Sequence, residues 1–191
     1  SSSAASDVYK RQVLIPVSLT ELEPWTFAGS HIQRLDLSHV KKAGRGTFEF
    51  CHNLKEIKLG RETVLNGGQF YENRSLKDIS VEEGNPKLWS EDGVLYGRSG
   101  DDKTLVCYPS AKEELSYAVS PGTNCIEDSA FHMCRLDQVF LPPSVQKISS
   151  SAFNYGNDGK AEKPIQIYLC GDRLPEIEKA AFTDLASGSV I

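Results

Sequence analysis

Phe48-Glu49-Phe50-Cys51-His52-Asn53-Leu54-Lys55-Glu56-Ile57-Lys58-Leu59 is the stretch from which the rest of the chain can be read. Its apolar and small positions, Phe48, Cys51, Leu54, Ile57 and Leu59, return 22 residues later as Phe70, Asn73, Leu76, Ile79 and Val81. A form one residue shorter occurs twice, as Phe27, Ser30, Ile32, Leu35 and Leu37 and as Phe131, Cys134, Leu136, Val139 and Leu141. Phe153 follows Phe131 by 22 residues, and Phe182 follows Phe153 by 29, the added length being the polar loop Asn154 to Lys163. The approach to the later phenylalanines is patterned as well: Ile126-x3-Ala130-Phe131, Ile148-x3-Ala152-Phe153 and Ile177-x3-Ala181-Phe182. Six phenylalanines therefore mark six successive turns of a repeat.

Each unit ends in I-x-L, a short strand whose alternate side chains share one face, so the two apolar residues go inward and the residue between them goes out. One unit has four or five apolar side chains, each worth about 1.5–3 kcal/mol when fully buried. Ordering its backbone costs about 1–2 kcal/mol per residue. A lone unit cannot fold, whereas stacked units cover one another's apolar rows and align their strands in a parallel sheet. The small position held by Ser30, Cys51, Asn73 and Cys134 lies where the strand approach turns, and a short polar side chain there can reach backbone groups the turn leaves unpaired.

Composition excludes several classes. The 191 residues are 39% apolar and 25% charged, near the globular average, with no apolar run of the roughly 18 residues a membrane span needs. Net charge is −5, which argues against a protein that neutralises nucleic-acid phosphates and leaves no polybasic patch for anionic lipid. The five cysteines, Cys51, Cys107, Cys125, Cys134 and Cys170, show neither CxxC nor metal-ligand spacing and are expected to be buried small apolar thiols.

The pattern I-x3-A-F-x2-C-x2-L-x2-I-x-L resembles the leucine-rich repeats of the BspA type, also called the Treponema pallidum type, over residues 20–189. Gly84-Asn85-Pro86, Glu91-Asp92-Gly93-Val94-Leu95-Tyr96 and Thr104-Leu105-Val106-Cys107-Tyr108-Pro109 match the hairpin that interrupts such arrays. Val94-Leu95-Tyr96 and Thr104 to Tyr108 are also β-rich in their own right, joined by the turn-forming run Gly97 to Lys103. The expected fold is a leucine-rich-repeat solenoid with short parallel strands on the concave face, short helical turns and loops on the return path, and one inserted β-hairpin. The array is expected over 13–191, with the insertion over 83–124 and the repeats resuming at Ile126.

No catalytic site is expected. Cys51-His52 and His132-x-Cys134 are the only nucleophile and base neighbours, and other repeats fill the same cysteine position with Asn or Ser. Asn154 to Gly159 has too few acidic ligands for a calcium loop, and Asn73-Arg74-Ser75 is a sequon whose asparagine falls at the inward turn position. No metal or cofactor is expected. Binding is expected on the concave face, at the outward strand positions Arg34, Asp36, Glu56, Lys58, Asp78, Ser80, Gln138, Phe140, Gln166 and Tyr168. Mixed charge with two exposed aromatics suits a protein or glycan partner rather than nucleic acid, and nothing in the chain inserts into a membrane. The ordinary alternative is a solvated sheet face. Trp25 and Trp89 are read as packing residues.

The resemblance implies a cell-surface or secreted location and adhesion to host proteins or other cells. A rival reading is a structural spacer that presents another domain. Residues 1–12, SSSAASDVYKRQ, lack strand or helix periodicity, and Asp7 to Gln12 matches the translated mosaic-end sequence of transposase-based sequencing libraries. They are expected to be an unstructured adapter read-through, with the natural N-terminus missing. At the other end, Ala186 to Ile191 reads as the opening of a further strand, so a fragment of a longer reading frame is expected.

Overall fold

The computed structural model describes residues 12–13, 15–65, 68–154, 164–183, 185 and 188–189. The expected adapter up to Arg11, all but Asn154 of the polar loop weighed for calcium, and the terminal Val190-Ile191 pair lie outside the described residues.

The I-x-L segments are strands and they stack in parallel. β1 (Gln12–Val13), β3 (Arg34–Leu37), β5 (Glu56–Leu59) and β7 (Asp78–Val81) form one ladder. In it Leu35 pairs with Ile57 and Ile57 with Ile79, while Gln12 pairs with Arg34. β11 (Ser116–Ala118), β13 (Gln138–Leu141) and β15 (Gln166–Leu169) form a second ladder of the same kind. β3 and β5 alternate exposed and buried along their length, as a pleated strand over a core requires.

Each unit also contributes a short strand just before its phenylalanine. β2 (Glu21–Leu22), β4 (Lys42–Ala43) and β6 (Val64–Leu65) pair with one another. β12 (Thr123–Ile126), β14 (Lys147–Ile148) and β16 (Glu176–Ile177) do the same farther along, so Ile126 and Ile148 sit in register. The result is a solenoid of about six turns with its parallel strands aligned.

The return path differs from expectation, because no helix occurs among the described residues. The residue two before each phenylalanine is left-handed in all six units: Trp25 (φ 57°), Gly46 (65°), Gly68 (54°), Ser129 (57°), Ser151 (56°) and Ala180 (64°). Two residues after the phenylalanine the backbone is left-handed again at Gly29, Phe50, Glu72 and Met133. A right-handed helix cannot propagate through such residues, and only three positions separate them. The arcs instead bond sideways from turn to turn, with Phe27 N–H donating to Thr47 O (3.0 Å), Phe131 N–H to Ala152 O (2.8 Å) and Phe153 N–H to Ala181 O (2.9 Å). At Gly46 a Cβ would lie 2.4 Å from Trp25 Nε1, so a larger residue there would have to displace the indole. Trp25 itself, expected to pack, is 56% exposed.

The insertion is a three-stranded antiparallel meander: β8 (Leu88–Glu91), β9 (Val94–Ser99) and β10 (Asp102–Cys107). β10 then pairs in parallel with β12, so the meander begins the second run of short strands. It is buried on both faces. Leu95 and Cys107 join the apolar cluster of the first units, around Leu37, Phe48, Leu59 and Ile79. Val94, Tyr96 and Leu105 join the cluster of the later units, around Phe131, Val139, Ile148 and Phe153. Period-two alternation thus places successive residues of one strand in two different cores, and the meander is a wall between them. Tyr108 takes the place of a repeat phenylalanine, stacking on Phe131 at 5.6 Å.

Candidate functional site

The ten expected binding residues lie on the two ladders of I-x-L strands, which are separate sheets with the meander between them in sequence. On the first ladder, parallel register makes two columns, Arg34-Glu56-Asp78 and Asp36-Lys58-Ser80. The charges here largely satisfy one another. Arg34 donates to both carboxylate oxygens of Glu56, at 3.0 and 3.4 Å, and Lys58 pairs with Glu82 at 2.9 Å. Burial pushes the Asp36 carboxyl up, but bonds from the Ser38 hydroxyl and N–H, helped by Lys58, outweigh it and hold the group below the ordinary carboxylate range. The hydrogen bond from Lys58 lowers Glu82 in the same way.

The second ladder has a different chemistry. Gln138 pairs with Gln166 and Phe140 with Tyr168. Because the strands are in register, the two rings stack at 4.6 Å with 6° between their planes. Gln138 Nε2 donates to Gln166 Oε1 at 3.1 Å, and the Tyr168 hydroxyl donates to the same oxygen at 2.7 Å. Gln138 Oε1 and Gln166 Nε2 then have no partner among the described residues, leaving one acceptor and one donor group beside an aromatic column. Tyr168 is 40% exposed, and no strand position in this patch carries a charge. Such a surface can stack a flat or CH-lined ring and make neutral hydrogen bonds.

β11 extends the patch in a way not anticipated from the sequence. Ala118 stands in register with Phe140 and Ser116 with Gln138, and both are exposed. The repeat period itself is the signal that could have found them, since Tyr117 precedes Val139 by 22 residues. Tyr117 points inward, its hydroxyl 2.7 Å from that of Tyr96.

The cysteine and histidine neighbours are structural in their surroundings. The small turn position forms a row: Ser30 Oγ lies 3.5 Å from Cys51 Sγ, Cys51 Sγ donates to Phe27 O at 3.0 Å, and Asn73 Oδ1 accepts Cys51 N–H at 3.0 Å. Burial raises the Cys51 thiol, the opposite of activation. Cys134 and His132 are both buried, and the His132 ring stacks on Tyr71 at 4.2 Å with Nε2 3.4 Å from Glu72 Oε1. Burial lowers the His132 pKa despite the neighbouring Glu72. Asn73 is 3% exposed, so its sequon cannot carry a glycan in the folded chain. Contrary to expectation, Cys125 is only half-buried and Cys170 is exposed; none of the five cysteines is in a disulfide. Trp89 packs against the second core, stacking on Tyr96 at 6.0 Å and donating to Glu91 at 2.8 Å. Among the described residues no cluster of His, Cys, Asp and Glu could hold a metal, and no helix is long and apolar enough to cross a membrane.

Three solved structures share the fold. The pneumococcal vaccine antigen PcpA is 23% identical, with a TM-score of 0.61 over 87% of this chain and 52% of its own. A leucine-rich-repeat protein of Eubacterium ventriosum is 17% identical, with a TM-score of 0.65 over 82% of this chain and 47% of its own. A leucine-rich cell-surface protein of Faecalibacterium prausnitzii is 22% identical, with a TM-score of 0.56 over 79% of this chain and 51% of its own. The chain thus spans about half the length of the structures it matches. No curated protein matches it. The model of the BspA-type leucine-rich-repeat region matches six copies over residues 5–91 and 111–187. With the repeat spacing, the paired ladders and this match in agreement, the chain belongs to the BspA-type leucine-rich-repeat family.

Proposed function

We propose that this chain is a non-enzymatic protein- or glycan-binding module of a bacterial-type cell-surface or secreted protein, acting in adhesion to host or other cells. The observation that carries the reading is the Phe140-Tyr168 stack, an aromatic column with Phe140 half-buried and Tyr168 exposed, beside the free amide groups of Gln138 and Gln166. Aromatic side chains are over-represented among residues that dominate binding energy, and neutral amides provide direction without the desolvation cost of a charge. Gln138, Phe140, Gln166 and Tyr168 are the primary contacts in this reading. Arg34, Asp36, Glu56, Lys58, Asp78 and Ser80 form a flanking surface. The family and the cell-surface protein among its structural neighbours support a surface location.

A spacer role is favoured by a different observation, the internal pairing of the first ladder, where Arg34-Glu56 and Lys58-Glu82 satisfy each other. The double variant Phe140→Ser, Tyr168→Ser separates the two. In binding to arrayed glycans and host extracellular proteins, the adhesive reading expects the chain's binding to fall by tenfold or more, from loss of about 2 kcal/mol at an aromatic hot spot. An unchanged profile, or no binding by the parent chain, would leave the spacer. Circular dichroism controls for folding.

A further inference from the structure

Along the return path the rings of successive turns stack: Phe48 on Phe70 at 5.7 Å, Tyr108 on Phe131 at 5.6 Å, Phe131 on Phe153 at 4.8 Å and Phe153 on Phe182 at 5.3 Å. The row breaks where the meander enters. Phe70 has Phe48 on one side, and no second ring stacks on it among the described residues. A cleft of about 140 Å³ opens at this break, lined by the apolar residues Leu65, Phe70, Leu88 and Val106 and by the acidic pair Glu127 and Asp128 of the next unit. A cavity of ~150 Å³ is room for a benzene ring.

Among the described residues no basic side chain pairs directly with the cleft's carboxylates. Glu127 makes no ion pair among the described residues, and Lys147, which acts on it at longer range, is held by Glu178 at 2.6 Å. Among the described residues Asp128 accepts a hydrogen bond from the hydroxyl of its neighbour Ser129 alone, at 2.7 Å. Burial raises the Glu127 carboxyl and Asp128 adds to the rise, so the site carries an electrostatic penalty that a cation would relieve.

We infer that this cleft receives an arginine side chain of a partner protein, its guanidinium stacked on Phe70 and paired with Glu127 and Asp128. Three requirements converge on that group. The cleft falls at a gap in an aromatic row, and a guanidinium is planar and stacks on aromatic faces. The wall is apolar, which suits a three-carbon stem. The carboxylates demand a cation, and the planar fork matches their geometry. Anionic groups are repelled, a neutral aromatic would leave the half-buried Glu127 without a partner, and an ammonium has no planar face to lay on Phe70. This site lies apart from the Phe140-Tyr168 patch and stands or falls independently of it.

The test is a titration of the ¹⁵N-labelled full chain with N-acetyl-L-arginine amide, following the backbone amides of Gly68 and Ser129, which both line the cleft. Saturable shifts at both are expected. Glu127→Gln should weaken binding about tenfold, as loss of one charge-assisted contact implies, and Asp128→Asn should weaken it by less. Phe140→Ser should leave it unchanged. The corresponding citrulline amide, equal in shape but neutral, should bind at least tenfold more weakly, and the lysine amide should also be weaker. Absence of saturable shifts up to the solubility of the probe would overturn the inference. So would equal binding of the citrulline or lysine amide, or full affinity in both acidic variants.

Discussion

Ser151→Gly tests why the return path is built from left-handed arcs. Ser151 has φ 56°, is half-buried, and its hydroxyl makes no bond among the described residues. A non-glycine residue in this region carries a penalty of about 1–2 kcal/mol. Glycine removes it but adds unfolded-state entropy worth about 0.4–1 kcal/mol. The net expectation is a gain of about 0.5–1 kcal/mol, a rise in melting temperature of about 2 °C for a chain of this size. Ala152→Gly, one residue on, should move the other way. Ala152 is fully buried with ordinary φ, so its methyl burial and backbone restriction are both lost, at a combined cost of about 1–2 kcal/mol. Urea and thermal denaturation of both variants beside the parent give the two signs directly. Ala180→Gly, at the equivalent position of the next unit with φ 64°, should repeat the gain. If Ser151→Gly destabilises as much as Ala152→Gly, the left-handed arc is not what the backbone adopts there and the account of the missing helices fails.

Three further outcomes are expected. Tyr96→Phe removes the hydroxyl that lies 2.7 Å from the Tyr117 hydroxyl and accepts Ser120 N–H at 3.1 Å, which should cost about 1–2 kcal/mol in urea denaturation; a neutral result would mean that the wall between the cores does not depend on this polar clasp. His132 has a folded pKa depressed below its usual 6.5, so between the two values the unfolded chain binds more protons and stability falls as pH drops from 6.5 through the folded pKa. His132→Phe keeps a ring against Tyr71 and should flatten that part of the stability profile, measured by denaturation between pH 7.5 and 5, whereas an unchanged slope would assign it to other groups. Finally, a thiol reagent added to the folded protein should modify Cys170 first and leave Cys51, Cys107 and Cys134 unmodified until denaturant is added; peptide mass mapping that finds early Cys134 labelling would reopen a nucleophilic role for it.

The repeat was legible because every unit of a solenoid meets the same neighbours, so the same demand recurs at the same offset. Leu35, Ile57 and Ile79 face one core from one strand position, and the phenylalanines recur because each packs between arcs of adjacent turns. The turn position read from Ser30, Cys51 and Asn73 is also a row in space. The expected helical turns are absent among the described residues for a specific reason. The left-handed position is held by Trp, Gly, Gly, Ser, Ser and Ala in the six units, so residue type does not announce it, and side-to-side backbone bonds impose it.

The period, the family and the direction each strand residue faces can be read without coordinates, because these follow from local alternation and a repeated apolar demand. Tertiary structure alone decided what lies between turns. Phe140 and Tyr168 become one stack through parallel register across a 28-residue separation. The meander becomes a two-faced wall because successive residues of β9 enter different cores. Its entry also parts the phenylalanine row at Phe70 and brings Glu127 and Asp128 beside an apolar cleft. Each of these depends on contacts between segments that no local pattern couples, which is why packing had to settle them.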